Sequence, residues 1–161
     1  MSTSLSTADV RGFCTELSSP GLIRLITEID DNGPIPPRGL ARTLADLTPH
    51  QLRQATDLAR SLGLVRVRPG AGLGLTGSGA ELADVYDAIA RWARRHAYPA
   101  PVGDFTGRIQ HTLALLADTP AADHLPSAQA AADLAGPRDL LNQWLHANAQ
   151  AAQLAKPELA A

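Results

Sequence analysis

The segment that most constrains the fold is 48–63, because it carries both a start signal and a stop signal for one helix. Thr48 can cap the helix with its hydroxyl group, and Pro49 suits the first helical position, where its missing N–H costs nothing. Gly63 can adopt the left-handed conformation that commonly ends a helix. The sequence therefore predicts a helix that runs from Thr48 to Leu62.

This predicted helix is amphipathic. At about 100° per residue, its apolar side chains share one side and its polar side chains share the other. We therefore expect one face to lie in the core and the other to form a hydrogen-bonding surface. The apolar set is Leu52, Ala55, Leu58, Ala59 and Leu62, and the polar set is His50, Arg53, Gln54, Asp57, Arg60 and Ser61.

The flanking segments indicate what surrounds the helix. Residues 38–47 repeat apolar residues at helical spacing, which predicts a short helix that meets the next one at a tight turn and crosses it steeply. Residues 64–68 alternate apolar and basic residues, 69–72 break the chain and 73–75 resume an extended pattern, which predicts a β-hairpin with Arg66 and Arg68 on one face. Helix, turn, helix and basic hairpin is the order of a winged helix-turn-helix.

Specific residues in this stretch carry a family resemblance. The sequence LRQATDLARSLGLVRVRPGAGLGLTGSGAELADVYDAIARWARRH resembles winged-helix repressors of the HxlR and MarR type. In those proteins the recognition helix leads into Gly-Leu-Val, a strand with alternating arginine and a wing, and L-T-x-x-G-x-E-L then opens a long helix that ends near a tryptophan. The matching positions here are Leu58, Gly63, Leu64, Val65, Leu75, Thr76, Gly79, Glu81, Leu82 and Trp92.

The resemblance covers about residues 20–97 and implies a dimeric, DNA-binding transcriptional repressor. Residues 77–98 would form a long helix, which is too long to be covered by the rest of the small predicted DNA-binding domain. In the family, that helix and the first one pair with a second copy. Pairing of this kind would place two recognition helices about one DNA turn apart.

The polar face of the 48–62 helix is the first candidate DNA contact. Arginine can read guanine and glutamine can read adenine, whereas the alternative is an ordinary solvated face. Arg66 and Arg68 would contact phosphates or the minor groove, or would only protect an exposed strand edge. We expect Asp57 to pair with Arg53 or Arg60. The candidate DNA-binding residues are Arg38, Arg42, Thr48, His50, Gln51, Arg53, Gln54, Arg66 and Arg68.

The charge distribution favours this region as the DNA-binding surface. The whole chain has a net charge of −2, which by itself would not suggest a nucleic-acid partner. Residues 36–72, however, contain six arginines against Asp46 and Asp57. The basic charge is therefore concentrated on the predicted helix-turn-helix and hairpin.

Two further groups of residues are candidates for sensing. Cys14, the one cysteine, lies near the N-terminus, where some HxlR-type repressors carry a thiol sensor; the alternative is a buried structural cysteine. Aromatic side chains could line a small-molecule pocket or a dimer contact, although aromatic residues at helical spacing are more often core. This second group is Tyr86, Trp92, Tyr98, Phe105 and Trp144.

The chain divides into two predicted parts. Residues 1–98 form the mostly helical winged helix-turn-helix domain, and residues 104–161 form a helical extension for dimerisation or sensing. The extension contains a segment similar to one in the first domain, since 40–63 and 128–150 share an Ala-Asp-Leu, a proline-containing turn and a leucine-bearing helix. This similarity indicates either a degenerate second helix-turn-helix or a coincidence between alanine-rich helices.

Other function classes lack support. The sequence has no phosphate-binding glycine loop, no metal-ligand pair and no nucleophile elbow, so we expect no catalysis, no cofactor and no metal. It has no apolar run long enough to span a membrane and no signal peptide, so we expect a cytoplasmic protein. Two alternatives remain: a winged-helix adaptor that has lost DNA binding and contacts proteins, and a regulator that binds a small molecule through its extension.

Overall fold

The computed structural model describes residues 5–99, 104–117, 125 and 127–155, with side chains described as far as Asn148. These residues are mostly helical, with one two-stranded antiparallel sheet, as the composition and periodicity predict. The helices are α1 (Thr7–Leu17), α2 (Pro20–Asn32), α3 (Leu40–Thr43), α4 (Pro49–Ser61), α5 (Gly77–Arg95), α6 (Phe105–Ala117), α7 (Ala128–Asp133) and α8 (Ala135–Ala155), and the strands are β1 (Val65–Arg68) and β2 (Gly72–Leu75).

The second helix forms the buried centre of the N-terminal half. Ser19 caps it with its hydroxyl group and Pro20 takes its first turn, where a missing N–H is tolerated. Its apolar side chains are almost fully removed from solvent. The buried residues are Gly21, Leu22, Ile23, Leu25, Ile26 and Ile29.

The predicted 38–47 helix is shorter in the structure. A 3₁₀ turn at Pro37–Gly39 leads into the four residues of α3, and Leu44 then leaves the helical conformation with φ −109° and ψ 48°. The Leu44 side chain is completely buried. Burial of this side chain in the core accompanies the end of the helix, so tertiary packing overrides a helical pattern that is only local.

Both predicted ends of α4 are confirmed. The Thr48 hydroxyl accepts from the Gln51 N–H at 3.1 Å, and the Gln51 side-chain oxygen accepts from the Thr48 N–H at 2.9 Å. Gly63 follows the helix with φ +72°, which an L side chain rarely adopts. The helix packs against α2 and buries Ala55 and Ala59.

The hairpin pairs β1 with β2 in the register Val65–Leu75 to Arg68–Gly72. Ile35 extends this sheet by one isolated bridge, in which it exchanges two backbone hydrogen bonds with Leu73 at 3.0 and 2.8 Å. The apolar face of β1 is only partly covered, because Val65 is buried but Val67 is 60% exposed.

The long helix differs from its prediction at its end and in its surroundings. It ends at Arg95 instead of residue 98, since Ala97 takes φ +51° and breaks the helical path. Residues 1–98 do not cover it alone: α6 and α8 of the same chain pack along it. Its apolar stripe therefore joins one continuous core with Ile109, Leu113 and Leu141 of the extension.

The predicted extension contains α6, α7 and α8. Only Leu134 separates α7 from α8 and Pro137 lies in the first turn of α8, whereas residues 44–48 separate α3 from α4, so the two segments do not share the proline-containing turn that the internal similarity predicts. Leu141, Trp144 and Leu145 of α8 are buried in the common core. The extension thus contributes a packed layer of helix along α5.

Candidate nucleic-acid interface

The exposed face of α4 carries three polar side chains that are unoccupied by the rest of the described chain. His50, Arg53 and Gln54 are all exposed. None of the three side chains makes a hydrogen bond or ion pair with another described residue, whereas the opposite face of the helix is packed on α2. A helix held by one face with donors on the other has the geometry needed to enter a DNA groove.

Asp57 lies exposed on the same face without the expected partner. Neither Arg53 nor Arg60 comes within ion-pair distance of its carboxylate, so the expected pairing is wrong. The physical reason is exposure: a surface ion pair gains little over solvation and must order two side chains. Arg53 consequently keeps its donors available.

Two predicted site residues, Thr48 and Gln51, stabilise the start of α4. Thr48 and Gln51 satisfy each other's backbone N–H groups in the capping box. The Gln51 side-chain oxygen is therefore engaged, although its amide donors point away from that bond. These residues fix where α4 begins and thereby where His50 and Arg53 stand.

The two hairpin arginines differ in their freedom. Arg66 is exposed and makes no hydrogen bond or ion pair with a described residue. Arg68 lies across Gly74, where an added Cβ would be 2.9 Å from its Nε, and its Nη2 donates to the Leu75 carbonyl at 2.7 Å. Arg66 is thus the more available cation, while Arg68 is held against its own sheet.

Arg38 and Arg42 add positive charge in the segment that precedes α4. Arg38 lies in the 3₁₀ turn and Arg42 in the last turn of α3. Both side chains are exposed. With α4 and the hairpin, they give residues 36–72 a surface on which arginine is the dominant charged residue.

Sequence reasoning missed Arg24, whose side chain joins α2 to the segment before α4. Its Nε donates to Asp46 at 3.1 Å and its Nη1 donates to Glu28 at 2.9 Å, which links α2 to the segment before α4. Hydrogen bonds from Arg24 and then from Asn32 hold the pKa of Glu28 below its usual value. The available signal was a single cation inside the otherwise apolar run at 22–26.

The candidate thiol sensor is buried. The Cys14 side chain is 3% exposed, and burial raises its pKa to about 11. A thiol with so high a pKa is almost entirely protonated near neutral pH, and the thiolate is the reactive form. The structure therefore favours the packing role for Cys14.

Three of the five predicted aromatic residues are anchored in the core by hydrogen bonds to backbone carbonyls. The Tyr86 hydroxyl donates to Leu17 at 2.6 Å, and the indole N–H groups of Trp92 and Trp144 donate to Ala130 and Ser78, each at 2.9 Å. The Tyr98 ring lies 5.6 Å from the Trp92 ring. Phe105 stands apart at the surface, 38% exposed.

No group of three or more His, Cys, Asp or Glu side chains is arranged to hold a metal ion in the part of the chain that the structure describes. None of the described helices is both long and apolar enough to cross a membrane.

Comparison of the chain with protein-family models, with curated proteins and with solved structures found no match.

Proposed function

We propose that the chain is a sequence-specific DNA-binding transcriptional regulator with a winged helix-turn-helix fold. The observation that carries this proposal is the exposed face of α4, where His50, Arg53 and Gln54 have no partner in the described chain. The caps at Thr48 and Gly63 fix where the helix begins and ends, and Arg24 ties the preceding segment to α2. Rigid elements present base-reading side chains more precisely than loops do.

In the proposed complex, α4 enters the major groove and the hairpin lies on the flanking backbone. Arg53 would donate two hydrogen bonds to a guanine, and Gln54 would pair with an adenine. Arg66, Arg38 and Arg42 would contact phosphates. The homodimer and repressor roles are part of the same proposal, because two copies would read two half-sites about one helical turn apart.

A second candidate function has one supporting observation. Val67 is 60% exposed between Arg66 and Arg68, and an apolar side chain at that position suits a protein surface better than a phosphate backbone. This observation favours a winged-helix adaptor that contacts another protein through the hairpin. The two candidates differ in which element they require, α4 or β1.

The test is selection of bound duplexes from a random-sequence DNA library by the full-length protein. The experiment is repeated with Arg53→Ala and with Gln54→Ala. Matched controls are Arg94→Ala and Gln143→Ala, which remove the same side-chain types from exposed positions on α5 and α8. We expect the parent and both controls to enrich one motif, and each α4 variant to lose preference at one base position by about 1–3 kcal/mol.

Two results would contradict DNA reading by α4. One is the absence of any enriched motif, and the other is the same motif from the parent and both α4 variants. If no motif appears, Val67→Thr tests the adaptor candidate, because loss of a captured protein partner on that change alone would locate the interface on β1.

A further inference from the structure

We propose that the groove between α5 and α8 is a docking site for an amphipathic helix of another protein, which lies antiparallel to α5. The groove consists of two open depressions of about 380 Å³ each, which share Leu140. The Leu140 side chain is 41% exposed between them. The lining comes mainly from two helices that are far apart in the sequence, so no local pattern predicts the groove.

The floor of the groove is apolar and offers two places for apolar side chains. Val85 and Trp144 line the first depression and Trp92 lines the second. Both indoles are 4% exposed and are held by hydrogen bonds to backbone carbonyls. Val85 and Trp92 are seven residues apart on α5, which is two helical turns or about 10 Å. A helix that lies along α5 therefore reaches both depressions with apolar side chains at positions i and i+7.

The two ends of the groove carry opposite charges. Glu81 and Asp84 line the first depression, and Arg91 and Arg95 line the second. At about 100° per residue, these four positions of α5 fall within an arc of about 80°. All four side chains are exposed, and none makes a hydrogen bond or a salt bridge with a residue that the structure describes. The four charges are therefore available to a partner.

The acidic side chain at the basic end is already engaged. Asp133 accepts from Gln129 at 2.8 Å through one oxygen, and its other oxygen lies 3.0 Å from Nε2 of His96. Two arginines and this aspartate leave the basic end with one excess positive charge. Among the described residues, no cation lines the acidic end.

The order of the charges selects the direction of the bound helix. The helix dipole favours acidic residues in the first turn of a helix and basic residues in its last turn. Such a helix, antiparallel to α5, places its acidic start beside Arg91 and Arg95 and its basic end beside Glu81 and Asp84. From Glu81 to Arg95, α5 is about 21 Å long, so a partner helix of about four turns spans both ends.

The shape of the groove favours another protein over a second copy of this chain. A second copy would present the same pair of depressions. Two facing depressions leave each other unfilled, and the apolar stripe of α5 that could fill them is already covered by α6 and α8. A separate amphipathic helix fills the groove because its apolar side chains project outward.

The probe is a synthetic peptide of about 18 residues, or about five helical turns. It carries glutamate in its first two turns, lysine in its last two turns, leucine at two positions seven residues apart and a nitroxide label at its N-terminus. Binding to the full-length protein without DNA is measured by calorimetry, and NMR follows the indole N–H resonances. We expect the label to broaden the resonance of Trp92 more than that of Trp144, because the acidic start lies at the basic end of the groove.

Charge reversal tests the two ends. Glu81→Lys with Asp84→Lys, and Arg91→Glu with Arg95→Glu, should each weaken peptide binding by at least about tenfold. A chain with all four substitutions keeps the net charge of the parent. We expect this chain to bind the peptide again, now with stronger broadening of Trp144, because the peptide lies parallel to α5.

Matched controls lie on the same helix outside the groove. Asp87→Lys and Arg94→Glu reverse single charges at exposed positions of α5 that line neither depression. We expect each control to bind the peptide like the parent.

Several results would overturn the docking site. They are no heat and no change in either indole resonance at millimolar peptide, a label in the parent complex that broadens Trp144 as much as Trp92, or equal weakening by the controls. Self-association that reversal of either end disperses, measured by sedimentation, would assign the groove to a second copy and would also overturn the proposal. Because DNA is absent, failure here leaves the proposed reading of DNA by α4 unaffected, and failure of DNA binding leaves this docking site unaffected.

Discussion

Tyr86 carries a hydroxyl group into the core, where an unpaired polar group would be costly. The ring is 1% exposed and the hydroxyl donates to the Leu17 carbonyl at 2.6 Å, which joins α5 to the end of α1. Burial raises the pKa of this phenol well above its usual value, so it stays protonated and remains a donor. The same residue was a candidate ligand contact by sequence, and its bond places it instead in the structural framework.

Tyr86→Phe should lower the free energy of unfolding by about 1–2 kcal/mol, because it leaves the Leu17 carbonyl buried without its donor. Urea unfolding of the variant and the parent measures this difference. Tyr98→Phe is the matched control, since Tyr98 is only half-buried. A Tyr86 variant as stable as the parent would show that the bond contributes nothing.

At the scale of the element, the sequence predicted those helix ends that local chemistry determines. Thr48, Pro49 and Gly63 marked α4 because caps and left-handed turns depend on a few neighbouring atoms. The end of α3 escaped prediction because the Leu44 side chain is buried in the core, and the end of α5 because Ala97 adopts φ +51°, which a residue other than glycine rarely does. The exposed face of α4 was predictable, while the Arg24 link between α2 and the segment before α4 was not.

The junction between the hairpin and α5 depends on close approach at Gly79. A Cβ added there would lie 2.1 Å from the Leu64 carbonyl oxygen, which belongs to the backbone and cannot move aside cheaply. Gly79→Ala should therefore destabilise the fold by about 2–4 kcal/mol. Gly77→Ala is the control in the same helical turn, because nothing lies within 4 Å of its added Cβ. Equal thermal stability of the two variants would contradict the close approach.

The pairing of α2 with α5 gathers like charges. Burial and then the negative charges of Asp30, Asp31 and Asp84 raise the pKa of Asp87, although Arg91 opposes this. A carboxyl whose pKa is higher in the folded state makes the fold less stable at pH values above its titration. Asp87→Asn should therefore raise the unfolding temperature at pH 7, and the gain should shrink as pH falls through the carboxyl range.

Thermal unfolding from pH 7 down to pH 3 measures the Asp87 effect. Asp57→Asn is the control, because Asp57 lies on α4 with Arg53 and Arg60 on its exposed face. A gain that grows on acidification would reverse the sign of the argument.

At the scale of the whole molecule, the extension completes the core. The covering of α5 by α6 and α8 could not be predicted from periodicity, because an apolar stripe does not reveal which element will bury it. The indole N–H of Trp144 donates to Ser78 across this contact at 2.9 Å. The proposed dimer therefore does not require α5, whose stripe is covered within one chain.

Residues 1–98 alone should not form a stable monomer, because removal of the extension exposes Ile89 and Trp92, which are buried in the full chain. We expect the truncated chain to aggregate or to unfold without a cooperative transition. Circular dichroism during heating and light scattering measure both. Cooperative unfolding of a monomeric fragment would show instead that residues 1–98 fold independently.

The most direct measurement of DNA reading by α4 is the affinity ratio between the selected duplex and a scrambled duplex, followed against salt. For the parent and Arg94→Ala, we expect both affinities to fall steeply with salt and the ratio to stay high. For Arg53→Ala, we expect the ratio to fall by about tenfold or more at every salt concentration. A ratio that is near one for the parent, or unchanged by Arg53→Ala, would contradict the proposal.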